Sequence, residues 1–245
     1  LPTAAPRAVG SVDASLVADR LRGAEPLHLP PPRAPVEEPP VARHRATIVP
    51  AQVLELSRTA GQQRVTPFHL LLAAWLDALH CVLDAADPVV GVPVSTRHRV
   101  DQETEIGCFV VMAPVRTGPR RGARAVDLLG AVRAAADAAM TQLDVPPADV
   151  VSALGSDYQG HLYDSIFAFQ NIEEPVLDLD DTTCRLDRPV YFDLPTALHC
   201  ECWLRADGSI DLEVLHLRDV LDDAVAADLA AATIVNVEQL TRELG

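Results

Sequence analysis

The chain has 245 residues, of which 49% are hydrophobic, enough to bury a sizeable core in one large or two small domains and too apolar for a mainly disordered protein. The formal charge is −15 and uneven: residues 1–143 hold 15 arginines against 14 acids, residues 144–245 hold 5 against 21, and lysine is absent. Such an acidic surface repels phosphate backbones and argues against nucleic-acid binding, and no apolar run approaches the ~18 residues that span a bilayer.

The opening Leu1-Pro-Thr-Ala-Ala-Pro6 has no initiator methionine and no signal-peptide pattern, as expected for a piece of a longer polypeptide. Five cysteines, at 81, 108, 184, 200 and 202, are odd in number and lack the spacing of a small secreted framework, so reduced thiols and a cytoplasmic location are expected.

In chain order, Val12 to Arg22 reads as a short amphipathic helix with Leu16, Val17 and Leu21 on one side. Prolines 26, 30, 31, 32, 35, 39 and 40 then remove amide donors and fix φ, so an extended connector follows. Arg43 to Val49 alternates as a strand, and Pro50 opens a helix through Ala60 that Gly61 closes. Thr66-Pro67 starts a helix to Leu83 that is apolar nearly all round, which implies burial on several faces. Pro88 to Val94 and Cys108 to Val115 read as strands either side of a polar loop.

A helix is expected from Ala125 to Gln142, with Leu128, Val132, Ala135 and Ala139 on one face, then a helical turn from Asp149 to Leu154 and a strand from Tyr163 to Gln170. Residues 171–190 are acidic and irregular. Thr196 to Arg205 and Ile210 to Leu217 flank Ala206-Asp-Gly-Ser209, a hairpin signal, and Leu221 to Leu240 forms a closing helix. Together these elements predict an α/β (α+β) fold, a mixed sheet with helices packed on it.

No complete active site emerges from this chemistry. His80-Cys-Val-Leu-Asp84 has acyltransferase-like HxxxD spacing, but it ends the buried helix rather than lying in a loop. His199-Cys-Glu-Cys202 invites a metal reading, yet neighbours on a strand point to opposite faces and cannot converge on one ion, so no metal site is assigned. Gly-x-Ser-x-Gly and phosphate-cradling glycine loops are absent. Arg116, Arg120, Arg121 and Arg124 cluster with few acids, either to meet an acidic partner or a phosphate or as a solvated loop.

Several segments, in order, resemble condensation domains of nonribosomal peptide synthetases, in the chloramphenicol acetyltransferase-like superfamily. Gly91-Val-Pro-Val-Ser-Thr-Arg97 resembles their Gly-Thr-Pro-Val-Ala-Gly-Arg strand, and Ile106-Gly-Cys-Phe-Val-Val-Met-Ala-Pro-Val-Arg116 their Ile-Gly-x-Phe-Val-Asn-Thr-x-Pro-x-Arg motif. Leu143-Asp-Val-Pro-Pro-Ala-Asp149 stands where the family has Gln-Asp-x-Pro-Phe-Glu, Asp164-Ser-Ile-Phe-Ala-Phe-Gln-Asn171 resembles a late strand ending in Gln-Asn, and Tyr191-Phe-Asp-Leu194 follows in order. Arg20-Leu-Arg-Gly-Ala-Glu-Pro-Leu27 and the prolines resemble the crossover between lobes.

The resemblance implies that residues 1–43 are the inter-lobe crossover helix and Pro-rich connector and residues 44–245 the C-terminal lobe. The family's His-His-x-x-x-Asp-Gly motif belongs to the other lobe, and no His-His pair occurs here. The chain is therefore expected to contribute tunnel wall and docking surface for amide formation in antibiotic-type peptide biosynthesis, with no catalytic residue of its own, and to be inactive alone. Expected partners are peptidyl carrier proteins bearing phosphopantetheine-tethered substrates, the missing N-terminal lobe and neighbouring synthetase domains, with no cofactor bound to the chain itself.

Candidate tunnel residues are Asn171, Gln170, Val111 and Met112. Asn171 has an alternative as a strand-end turn cap. Val111-Met112 replaces the family's polar Asn-Thr, which implies either an unusual acceptor or a degenerate site. Loops 97–106 and 172–190 are expected to be mobile or rearranged without the partner lobe. Two rival expectations are a stand-alone acyltransferase of the same superfamily and a non-catalytic docking lobe.

Overall fold

The computed structural model describes residues 13–30, 40–97, 105–119, 124–155, 158, 161–171 and 193–245. Twelve elements appear among them: α1 (Ala14–Leu21), β1 (Val41–Ile48), α2 (Pro50–Gln63), α3 (Pro67–Leu83), β2 (Val89–Ser95), β3 (Val110–Arg116), α4 (Ala125–Met140), α5 (Pro147–Leu154), β4 (Ser165–Gln170), β5 (Leu198–Leu204), β6 (Ile210–Leu217) and α6 (Asp223–Leu244). The strands form one sheet in the order β1-β6-β5-β4-β2-β3. The β2–β4 and β4–β5 pairs are parallel and the others antiparallel, so the mixed sheet with flanking helices is borne out.

Opposed residues share a face of a sheet, and the registers sort the side chains accordingly. Phe167, Cys200, Cys202, Leu212, Val214, Val90, Val92 and Val115 point into the main core beneath α2, α3, α4 and α6. The reverse face carries α1 and α5 at its β2–β3 end, where Val17, Ala18, Leu21, Val89, Val150 and Leu154 form a second apolar cluster. In α1 the inner face is Val17, Ala18 and Leu21, while Leu16 is exposed. At 100° per residue, positions 17, 18 and 21 fall on one stripe and 16 falls off it.

Helix ends depart from the sequence reading where one residue overrides a general signal. Gly61 does not close α2: the helix runs on to Gln63 and ends at Arg64, in the left-handed region at φ 54°. A glycine within a helix costs only about 1 kcal/mol against alanine. Thr66 is the N-cap of α3 as expected, but His69 Nδ1 reaches back to accept from the Thr66 N–H at 3.2 Å. β1 opens at Val41, ahead of the expected Arg43.

Prolines define the sheet's edge. Thr96 N–H donates to the Phe109 carbonyl and Asp164 N–H to the Val89 carbonyl, so even-numbered residues of β2 bond β3 and odd-numbered ones face β4. Pro93 therefore offers β4 no donor, and that ladder ends at Gly91 opposite Ile166. Pro114 points its missing N–H outward from the edge strand β3, where nothing in the sheet needs it.

Gly91 is a close approach. A Cβ there would lie 2.7 Å from Cγ and Cδ2 of Tyr163 and 3.1 Å from Cε of Met112. Gly91→Ala is expected to cost about 1–3 kcal/mol through overpacking, read as a lower urea midpoint at unchanged slope.

Among the described residues no single helix is long and apolar enough to cross a membrane. Most of the proline connector, Cys184, Arg120, Arg121, Tyr191, residues 98–104 of loop 97–106 and all of loop 172–190 lie outside the described residues.

Candidate functional site

A cavity of about 570 Å3 wraps the edge strand β3, within the size range of small-ligand sites. Its walls come from α1 (Val17, Arg20), from Val110 to Pro114 of β3, from the turn Gln142–Pro147 between α4 and α5, and from His161, Tyr163 and Thr196. The lining is mainly apolar. Its polar members are Arg20, Gln142, Asp144, His161, Tyr163 and Thr196; Arg20 donates to Gln142 Oε1, and burial pushes the Tyr163 phenol above its ordinary pKa, leaving a neutral hydroxyl.

The expected site residues divide. Val111 and Met112 line the cavity, whereas Gln170 and Asn171, at the far end of β4, do not. The β2–β3 register turns Val111 with Val94 to the helix side and Met112 with Pro93 to the reverse face, beside Tyr163. Gln170 pairs in register with Trp203, and Asn171 is exposed.

His161 lines the cavity and its side chain is exposed. No periodicity marks it, because it belongs to neither α5 nor β4. Neighbouring Asp164 is mostly buried, which raises its pKa, while backbone N–H groups of Leu27 and Val89 pull the other way. Its carboxylate takes the Val89 N–H at 3.4 Å and so belongs to the β2–β4 junction.

The motif arginine Arg116 is not part of a solvated loop. Its Nε and Nη2 lie 3.0 and 2.5 Å from Asp87 Oδ2, and its Nη1 donates to the carbonyls of Arg20 and Arg22 at 2.8 and 2.9 Å. A guanidinium presents its donors in a rigid fork, so this one residue fixes the end of β3 to α1 and to the start of β2, behind the cavity. Arg124, in contrast, is exposed and bonds Asp127 within the first turn of α4.

The remaining candidates resolve as structure. His80 Nδ1 bonds the Ala85 carbonyl at 3.2 Å, and Asp84 is the left-handed C-cap of α3. Cys200 and Cys202 enter the main core, whereas His199 and Glu201 lie buried on the reverse face. Burial lowers His199 to a pKa of about 4 and raises the Cys200 thiol well above its ordinary value.

The family model described as Condensation domain matches residues 18–187. A linear gramicidin synthase of Brevibacillus parabrevis is 32% identical over 159 residues, 62% of this chain and 2% of that protein. The PKS-NRPS hybrid synthetase psoA of Aspergillus fumigatus is 29% identical over 207 residues, 79% of this chain and 5% of that protein. The X-domain from teicoplanin biosynthesis superposes with a TM-score of 0.80 at 20% identity, covering 96% of this chain and 56% of that one. SgcC5 from Streptomyces globisporus superposes with a TM-score of 0.74 at 18% identity, covering 94% and 55%. The chain thus spans a few per cent of these curated relatives and little more than half of these solved neighbours. With more than two thirds of its residues matched by the family model, the chain belongs to the condensation-domain family.

Proposed function

We propose that the chain is the C-terminal half of a condensation domain, with residues 1–43 as the crossover segment and 44–245 as the lobe. It supplies one wall of a substrate channel and a docking surface for carrier proteins during amide formation between a carrier-bound acyl thioester and an amine. The general base and the groups handling the oxyanion come from the other half. The observation that carries this reading is the cavity on β3, built around the Ile106–Arg116 motif and lined mainly by apolar groups, in a chain with no His-His pair. Apolar walls suit an acyl chain or amino-acid side chain, and the bonded pair Arg20 and Gln142 supplies polar groups to the lining. Peptidyl carrier proteins with phosphopantetheine-tethered substrates, neighbouring synthetase domains and a cytoplasmic location go with this role.

The test joins the chain to the upstream part of its polypeptide and supplies donor and acceptor on carriers. His161→Ala is expected to retain at least half of the wild-type rate, because an exposed imidazole at the rim contributes shape. Met112→Arg, placing a charge in the channel, is expected to lower the rate at least tenfold. A rate abolished by His161→Ala would place the base in this chain and end the proposal.

A second reading, a lobe that recruits other proteins without catalysis, is favoured by one feature: Val111 and Met112 stand where the resembled motif has polar Asn-Thr. A solved neighbour is described as a complex of the X-domain and OxyB from teicoplanin biosynthesis. A parent polypeptide whose upstream His-His-x-x-x-Asp-Gly is also degraded, and which binds a tailoring enzyme without forming amide, would select this reading.

A further inference from the structure

At the opposite edge of the sheet, β1 pairs with β6 so that Ala42 lies opposite His216 and His44 opposite Val214. His44 and His216 are therefore diagonal neighbours on one face, with rings stacked at 5.4 Å and 24°. Asp223, the first residue of α6 after its N-cap Asp222, brings Oδ1 within 2.9 Å of His216 Nε2. A carboxylate only accepts, so without metal His216 Nε2 carries the hydrogen; a metal seated between Nε2 and Asp223 Oδ1 would displace that proton. The His216 side chain is 0% exposed, and His44 Nε2 is buried with no hydrogen-bond partner, a lone pair left for a ligand. One ligand atom from each of His44, His216 and Asp223 lie within 4.8 Å of one another.

We propose that His44, His216 and Asp223 bind a transition-metal dication of the zinc type. Two imidazoles and one carboxylate form a borderline donor set suited to Zn2+, Co2+ or Ni2+, whereas Ca2+ and Mg2+ take mainly oxygen ligands. The two histidines are held by paired strands, and Asp223 is half exposed at the start of α6. Arg218 opposes the site, with Nε 3.6 Å from the same Asp223 oxygen, and must swing outward on loading. An occupied site would tie β1, β6 and the start of α6 together. The sequence reading assigned no metal because spacing alone does not bring residues 44 and 216 onto adjacent strands.

The experiment uses the whole chain stripped of metal, titrated with Zn2+ by equilibrium dialysis and thermal unfolding. Saturable uptake of one Zn2+ per chain is expected, with Tm raised by roughly 5–10 °C at a hundredfold excess over Kd. His44→Gln and Asp223→Asn change partly exposed side chains, and circular dichroism verifies that they fold. Each is expected to weaken binding at least tenfold, and Arg218→Gln to tighten it. Cys81→Ser with Cys108→Ser, which removes the exposed thiols among the described residues, is expected to leave binding unchanged. Lack of saturable uptake, uptake unaltered by both His44→Gln and Asp223→Asn, or uptake lost with the cysteines overturns the proposal.

Discussion

Arg116→Ala is expected to lower the unfolding free energy by about 3–5 kcal/mol, because it leaves a buried carboxylate without its counter-charge. Asp87 is 3% exposed, and Arg116 supplies two charged donors to its Oδ2 while tying down the carbonyls of Arg20 and Arg22. For a chain of this length that corresponds to a fall in Tm on the order of 10 °C. Arg116→Lys restores charge without the fork and should recover less than half of the loss. Arg133→Ala removes an exposed pair with Asp137 and should change stability by less than about 1 kcal/mol. Thermal and urea unfolding of the three variants decide the matter: an Arg116→Ala effect as small as that of Arg133→Ala refutes the clamp.

The second large effect is acid lability. His199 titrates near 4 in the fold, against an ordinary value of 6.5. Burial causes the fall, partly offset by a hydrogen bond to the Thr196 backbone. Below pH 6.5 the unfolded chain takes up the proton first, so stability that is complete above 6.5 is lost progressively as pH falls to about 4. The loss reaches about 3 kcal/mol for this residue. His216, also lowered mainly by burial, acts in the same direction. Urea midpoints between pH 7.5 and 4.5 should drop steeply in the wild type and less in His199→Gln. Parallel profiles for the two proteins would remove His199 as the cause.

The order and type of the elements were legible because each carried a local signal. The hairpin shows how far such a signal reaches. Asp-Gly located the turn, but the geometry is a tight turn with only Gly208 at positive φ (82°), while Asp207 accepts from the Ser209 N–H at 2.9 Å and from its hydroxyl at 2.6 Å. Alternation along β5 correctly separated Cys200 and Cys202 from His199 and Glu201. The end of α2 was not legible, since a left-handed arginine carries no compositional mark.

The site was legible only in part, for a related reason. Val111 and Met112 were marked by a motif contained within one strand. The cavity also draws on α1, the α4–α5 turn, His161 and Thr196, segments that only the tertiary fold brings together. Arg116 looked like a loop residue because its partners, Asp87 and the end of α1, are distant in the chain.

The most direct test of the shared-channel account is amide formation by the purified chain alone, given a carrier-loaded aminoacyl donor and a carrier-loaded amine, with products followed by mass spectrometry. No dipeptidyl product above the uncatalysed background is predicted, with product emerging once the upstream portion is restored. Turnover by the isolated chain that disappears when one of its own histidines is replaced would contradict the account.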